Sequence, residues 1–171
     1  YTLSLHDALP ILASMDINYT NGQGMINIYA INNAKTEVAN GCTEQFTLGG
    51  TESAGNDSIG PSIYCYLNSP SFTNGGNVNA SPYFVAQITD KDGINTTGNG
   101  IGHDLELVID GDMSKTYILN DNFEYDFGSY TSGTTHYAIP ELPAGQHKLR
   151  FRAWDILNNS STAELTFNVV K

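Results

Sequence analysis

The sequence predicts an all-β protein, built as an antiparallel β-sandwich. Apolar and polar residues alternate in short runs, and clusters of Gly, Asn, Asp and Pro separate those runs. No stretch sustains the apolar spacing of three and four residues that a long amphipathic helix requires. A period of two sends successive side chains to opposite faces of a sheet, so each run offers one oily face to a core. The composition agrees. Gly and Asn tolerate positive φ in turns, while Thr and Tyr favour strands. With 171 residues, the chain can hold one domain with a real core, or one domain and part of another.

The first residues, YTLSLHDALPI, have no charged leading region, and no small-residue cleavage site follows a proper apolar core. They make a poor signal peptide. They resemble the translated sequencing-adapter peptide found at the ends of metagenomic reading frames. Residues 1–13 are therefore expected to be non-native, and His6 and Asp7 receive no role. The chain lacks an initiator Met and stops at Lys171 just after a strand, so it is expected to be a fragment.

Met25–Ile31 reads as a strand entered through the turn Asn21-Gly22-Gln23-Gly24. Asn40-Gly41 reads as a turn before Cys42, and Gln45–Leu48 as a strand ending in Gly49-Gly50. TESAGNDSIGP is small and polar, which suits a linker, and places a boundary near Asp57. The few strands before it cannot make a sandwich of their own. Residues 14–57 are expected to be terminal strands of a preceding domain plus linker, and residues 58–171 the sandwich.

Within the sandwich, Ser62–Leu67 is a strand entered through Pro61, and Tyr83–Thr89 places Phe84, Ala86 and Ile88 on one face. Leu105, Leu107 and Ile109 alternate with Glu106, Val108 and Asp110 before the turn at Gly111-Asp112. Thr116–Leu119, the aromatic stretch Phe123–Tyr130 and Thr135–Ile139 follow. The last two runs are the clearest. Leu149, Phe151 and Ala153 oppose Lys148, Arg150 and Arg152, and Leu165, Phe167 and Val169 oppose Glu164, Thr166 and Asn168. Asp155–Ser161 joins them as a hairpin loop.

The net charge of −11 disfavours nucleic acid and anionic headgroups as partners and tolerates divalent cations. No apolar run approaches the ~20 residues that span a bilayer. Cys42 and Cys65 match no metal spacing, and whether they pair cannot be read from sequence. Cys65 shares a strand face with Ile63 and Leu67, which reads as a buried free thiol.

The stretch DKDGINTTGNGIGHDLELVID is the best candidate for chemistry. Asp90, Asp92, Asn95 and Asp104 could form a loose calcium cage, although the EF-hand order of ligands is absent. The competing reading is turn chemistry, with Asp and Asn bonding their own backbone and Gly93, Gly98, Gly100 and Gly102 supplying positive φ. His103, His136 and His147 sit in separate regions, and no nucleophile–base–orienter set emerges. Glu124 and Asp126, two apart on one strand, do not flank a bond as glycosidic chemistry requires. Phe123, Tyr125, Phe127, Tyr130 and Trp154 could stack on sugars, but they suit a sandwich core equally. Glycan or calcium binding thus stays open beside a purely structural role.

FVAQITDKDGIN with LELVIDG, and AGQHKLRFRAWDILNNSSTAELTFNV, resemble bacterial immunoglobulin-like modules. More narrowly, GPSIYCYLN, DGINTTGNGIGHDLELVID, YAIPELPAGQHKLRFRAWDILNNSS and LTFNVV occur in an order similar to the region after the peptidase domain in the PorU family. These are type IX secretion sortases, gingipain-like cysteine peptidases of Bacteroidetes. The resemblance runs from Asp16 to Val170. It implies an immunoglobulin-like sandwich at the outer membrane or cell surface, partnered by an upstream peptidase domain and by outer-membrane secretion components. The family's catalytic Cys and His lie upstream, so the resemblance implies no catalytic residue and no cofactor here.

Overall fold

The computed structural model describes residues 21–32, 34–49, 57–98 and 102–170. The expected non-native segment, His6 and Asp7, most of the linker, and Gly100 lie outside the described residues. The chain divides into two compact units near Asn56.

In the smaller unit, β1 (Gly22–Gln23) pairs antiparallel with β4 (Thr47–Leu48), and β2 (Ile26–Ile31) with β3 (Val38–Thr43). The strand β3 corrects the expected turn at Asn40-Gly41. Asn40 pairs with Tyr29 and Gly41 with Ile28, so the ladder holds both residues extended and overrides the local turn preference. Ile28, Tyr29, Ile31 and Val38 are all exposed, and Ile28 and Tyr29 point to opposite faces of this hairpin.

The larger unit is a two-sheet sandwich. One sheet orders β10 (Phe123–Tyr125), β11 (Ser132–Ala138), β7 (Tyr83–Thr89) and β5 (Ser62–Leu67), all antiparallel. The other orders β6 (Asn77–Val78), β13 (Ser160–Val169), β12 (Gly145–Trp154), β8 (Glu106–Ile109) and β9 (Thr116–Ile118). Its one departure from antiparallel pairing is the short β6, which runs parallel to β13. The only helical elements among the described residues are 3-10 turns at Met113–Lys115 and Asn120–Asn122.

The period-two reading places the core. Phe84, Ala86 and Ile88 of β7 are fully buried, as are Leu107 and Ile109 of β8 and Leu149, Phe151 and Ala153 of β12. Phe84 and Phe151 meet across the two sheets with ring centroids 5.3 Å apart. Val108 departs from the expected alternation. It points outward yet is buried, between its cross-strand partners Thr116 and Arg150. Gly133 lets the Phe123 ring lie flat over β11, since a Cβ there would come within 2.3 Å of Cζ.

The central position of Phe151 gives a test of the packing. Phe151→Ala is expected to lower unfolding free energy by about 3–5 kcal/mol through lost transfer energy and a cavity. The midpoint shift in chemical denaturation measures it, and a loss under about 1 kcal/mol would contradict a tightly packed site.

Candidate functional site

Loops at one end of the sandwich gather most of the residues singled out for chemistry. The chain leaves β7 at Asp90, turns through Asp92 and Gly93, and makes an isolated bridge between Ile94 and Asp155. Ile94 and Asn95 are buried there, and the Asn95 N–H donates to the Trp154 carbonyl at 2.9 Å. The loop is thereby stitched to the end of β12.

The four candidate calcium ligands have separate employments. Asp90 Oδ1 accepts from the N–H groups of Asp92 at 2.8 Å and Gly93 at 3.3 Å. Asn95 Oδ1 accepts from the Thr97 N–H at 3.1 Å and the Thr97 hydroxyl at 2.8 Å. Asp104 lies against Gly98, where an added Cβ would come within 2.7 Å of its Oδ1. Gly98 has φ +59, so the turn needs glycine for its backbone as well as for space. Asp92 is drawn elsewhere, into a group with Asp57 and Lys91. The Lys91 ammonium lies 3.5 Å from Asp57 Oδ1 and 3.6 Å from Asp92 Oδ2. The interaction between the two neighbouring carboxyl groups holds Asp57 below the ordinary carboxylate range and Asp92 above it. Burial raises Asp90 against the pull of its backbone donors. Among the described residues, no group of three or more His, Cys, Asp or Glu side chains is arranged to hold a metal ion.

Asp155 holds the loop end together and was not singled out by sequence. It is fully buried. Its Oδ1 accepts from the N–H groups of Leu157 at 2.8 Å and Asn159 at 2.7 Å, and its Oδ2 from the Asn159 amide at 2.8 Å. Asn120 plays a similar part, accepting from the Leu105 N–H and donating to the Thr96 carbonyl. Tyr125 donates to the Ile94 carbonyl at 2.8 Å, and burial raises its hydroxyl. The signal in sequence was faint: an Asp directly after a strand and before Asn-Asn.

The remaining candidates are dispersed. His136 stacks on Tyr83 at 5.7 Å, and His103 packs tilted against Trp154 at 4.1 Å, with Arg152 over the same indole at 5.6 Å. His147 lies between Asp110 Oδ2 at 2.8 Å and the Pro143 carbonyl at 2.9 Å. Glu124 and Asp126 are exposed. The aromatic stretch divides: Phe123 and Tyr125 pack inward, while Phe127 is 82% exposed and Tyr130 also faces outward. Both cysteines are free, Cys42 exposed and Cys65 half-buried. Burial pushes the Cys65 thiol up to about 11, away from the thiolate that a nucleophile needs. No helix among the described residues is long and apolar enough to cross a membrane.

Two outcomes check this geometry. Asp155→Ala is expected to cost about 2–4 kcal/mol in chemical denaturation, because buried donors lose their acceptor. Iodoacetamide at neutral pH is expected to alkylate Cys42 and spare Cys65 until denaturant is added. Mass spectrometry reads both sites.

No family model matches the chain, and no curated protein matches it. Among solved structures, an endo-beta-1,4-mannanase from Thermotoga petrophila covers 68% of this chain and 21% of its own at 13% identity and a TM-score of 0.41, a likeness too slight to bear on function. Dimeric latent PorU from Porphyromonas gingivalis matches over 92% of this chain at 37% identity, with a TM-score of 0.68. The chain is thus related in sequence and in fold to a segment of PorU, and it spans 15% of that protein's length.

Proposed function

We propose that this chain is a non-catalytic, immunoglobulin-like scaffold region of a PorU-like type IX secretion sortase. The observation that carries the reading is the 37% identity to PorU over 92% of the chain. In this reading the parent protein cleaves the C-terminal secretion signals of exported proteins and attaches that cargo to lipopolysaccharide at the cell surface. Its catalytic Cys and His lie upstream. The upstream peptidase domain and outer-membrane secretion components are the partners, and residues 14–57 supply the last strands of the preceding domain. The exposed apolar hairpin formed by β2 and β3 supports that placement, because a lone two-stranded ribbon is marginal in water. The half-buried Cys65, whose thiol burial holds in the protonated form, supports the absence of catalysis. The loop between Asp90 and Asp104 serves as a strand connection, since Asp90 and Asn95 commit their oxygens to the backbone turn.

A second reading keeps the sandwich and makes it a glycan-binding module. The exposed Phe127 and Tyr130 beyond β10 favour it, as aromatic faces stack on sugars. Glycan arrays separate the two, with tight and selective binding favouring the module.

The sortase reading is tested on the parent reading frame and on the isolated chain. The upstream frame is expected to encode a caspase-like Cys/His domain. The 171-residue chain alone is expected to leave peptides bearing a C-terminal secretion signal uncut. Cleavage by this chain that disappears in Cys65→Ala would overturn the reading.

A further inference from the structure

His147 begins the inward face of β12 with its side chain only 8% exposed. Its two ring nitrogens face Asp110 Oδ2 at 2.8 Å and the Pro143 carbonyl at 2.9 Å. Both neighbours are oxygens that accept. A neutral imidazole has one N–H, so it can satisfy only one of them. Two arrangements make both contacts hydrogen bonds: a doubly protonated ring, or a protonated Asp110 donating to Nδ1. The second is opposed by the surroundings of Asp110. Its Oδ1 accepts from the Lys148 N–H at 3.0 Å, and the Lys115 ammonium lies 3.9 Å from its Oδ2, and both favour the carboxylate. We propose that His147 is held as an imidazolium that clasps the 139–144 connection to the turn between β8 and β9, and that loss of its proton releases the clasp.

The two ends of the clasp are separate pieces of chain. Asp110 and Gly111 turn with φ values of 56 and 67, and the Asp110 N–H donates to the Lys148 carbonyl at 2.7 Å. The 139–144 connection holds the buried Ile139 and Leu142, whose N–H groups reach the carbonyls of Pro82 and Ala80. The charged groups that act on the ring are Asp110 and Lys115 from the turn, and Lys148 and Arg150 of β12 with Glu164 of β13 line the groove beside it. From β13 the Phe167 ring stacks on it at 5.6 Å. An open groove of about 710 Å³ runs beside it, lined by Val108, Met113, Gln146 and Glu164 among others.

The direction of the pH effect follows. Burial alone would lower the imidazole, but the hydrogen bonds it donates to Asp110 and Pro143, with the Asp110 charge, outweigh burial and the repulsion of Lys115 and raise it. Burial likewise opposes the Asp110 carboxylate, and its donors from Lys148 and His147 hold it below the usual range. A group raised on folding stabilises fully below its unfolded value, about 6.5 for histidine, and that stabilisation is lost as pH rises through the folded value. The proton that remains stays on Nδ1 beside the anionic Asp110. The lone pair of Nε2 then faces the Pro143 carbonyl, so the 139–144 connection loosens while the turn stays bound.

An NMR titration of the His147 ring, paired with amide exchange over the same pH range, tests this. The ring is expected to be doubly protonated at neutral pH and to titrate above the ordinary histidine value. Protection in 139–144, corrected for intrinsic exchange, falls in step with it, while protection in β7 holds. Asp110→Asn removes the charge and offers an amide donor to Nδ1, so a neutral ring keeps its Nε2–H on the Pro143 carbonyl, and the loosening is expected to disappear over the same pH range. A neutral ring at neutral pH, a titration that leaves 139–144 unchanged, or an Asp110→Asn profile that superimposes on the wild type would each overturn the proposal.

Discussion

The fold rests on the contact between the inner faces of two sheets, with β12 at its centre. This ten-residue strand pairs along its whole length with β13 and along its middle with β8. Its alternation delivers Leu149, Phe151 and Ala153 to the interior and Lys148 and Arg150 to the surface. A slip of one residue would invert that assignment and bury the cations, whose desolvation far exceeds anything the turns could repay. The register of the larger sheet is therefore fixed by one strand, and the Phe84–Phe151 contact transmits it to the opposite sheet. The outer face of β12 then collects Arg150 and Arg152 around Glu106 at 3.4 Å, and Lys148 on Glu164 at 2.8 Å. The exposed Lys148–Glu164 pair stabilises little, and all three pairs keep the cations where the alternation put them.

The same constraint explains why the polar loops look chemical. Closing two sheets at one end requires tight connections whose backbone donors sit out of reach of water. Asp90, Asn95 and Asp155 supply acceptors to those donors, and Asp155 does so with no exposure at all. The oxygens that accept these N–H groups close the turns from within. The acidic residues of this end are thus part of the covalent chain's own hydrogen-bond accounting. Asp57 and Asp92 differ, since both pair with the Lys91 ammonium at 3.5 and 3.6 Å.

Strands with a buried face were legible because burial writes a period of two. Ser62–Leu67 and Tyr83–Thr89 occur with the boundaries the alternation predicts. The failures have physical causes. β3 contains Asn40-Gly41, whose local preference is a turn, and only its pairing with β2 makes it extended. β6 is two residues long and parallel, too short for any alternation to register. Parity assigns Val108 to solvent, but it is buried between its cross-strand partners Arg150 and Thr116. For the loops, the kinds of residue were legible and their partners were not. Nothing local tells that Asp92 leaves its own loop for Asp57, or that His147 bridges residues on either side of it. Such contacts depend on tertiary placement, which a period cannot encode.

The smaller unit departs from this scheme, and the departure is informative. In the sandwich every patterned strand finds cover. In the hairpin of β2 and β3, Ile26 and Ile28 line one face and Tyr29, Ile31 and Val38 the other, and all five are exposed. Water-facing strands ordinarily place polar residues on at least one side. A ribbon oily on both sides has the pattern of strands covered on both faces, and it gains nothing from its own two-strand pairing to offset that exposure. Its sequence is therefore suited to an environment larger than the hairpin. That agrees with the relation to PorU, in which the matched segment is a minor share of a much longer chain. The sandwich is self-sufficient in its core, whereas the hairpin leaves apolar residues on both of its faces exposed.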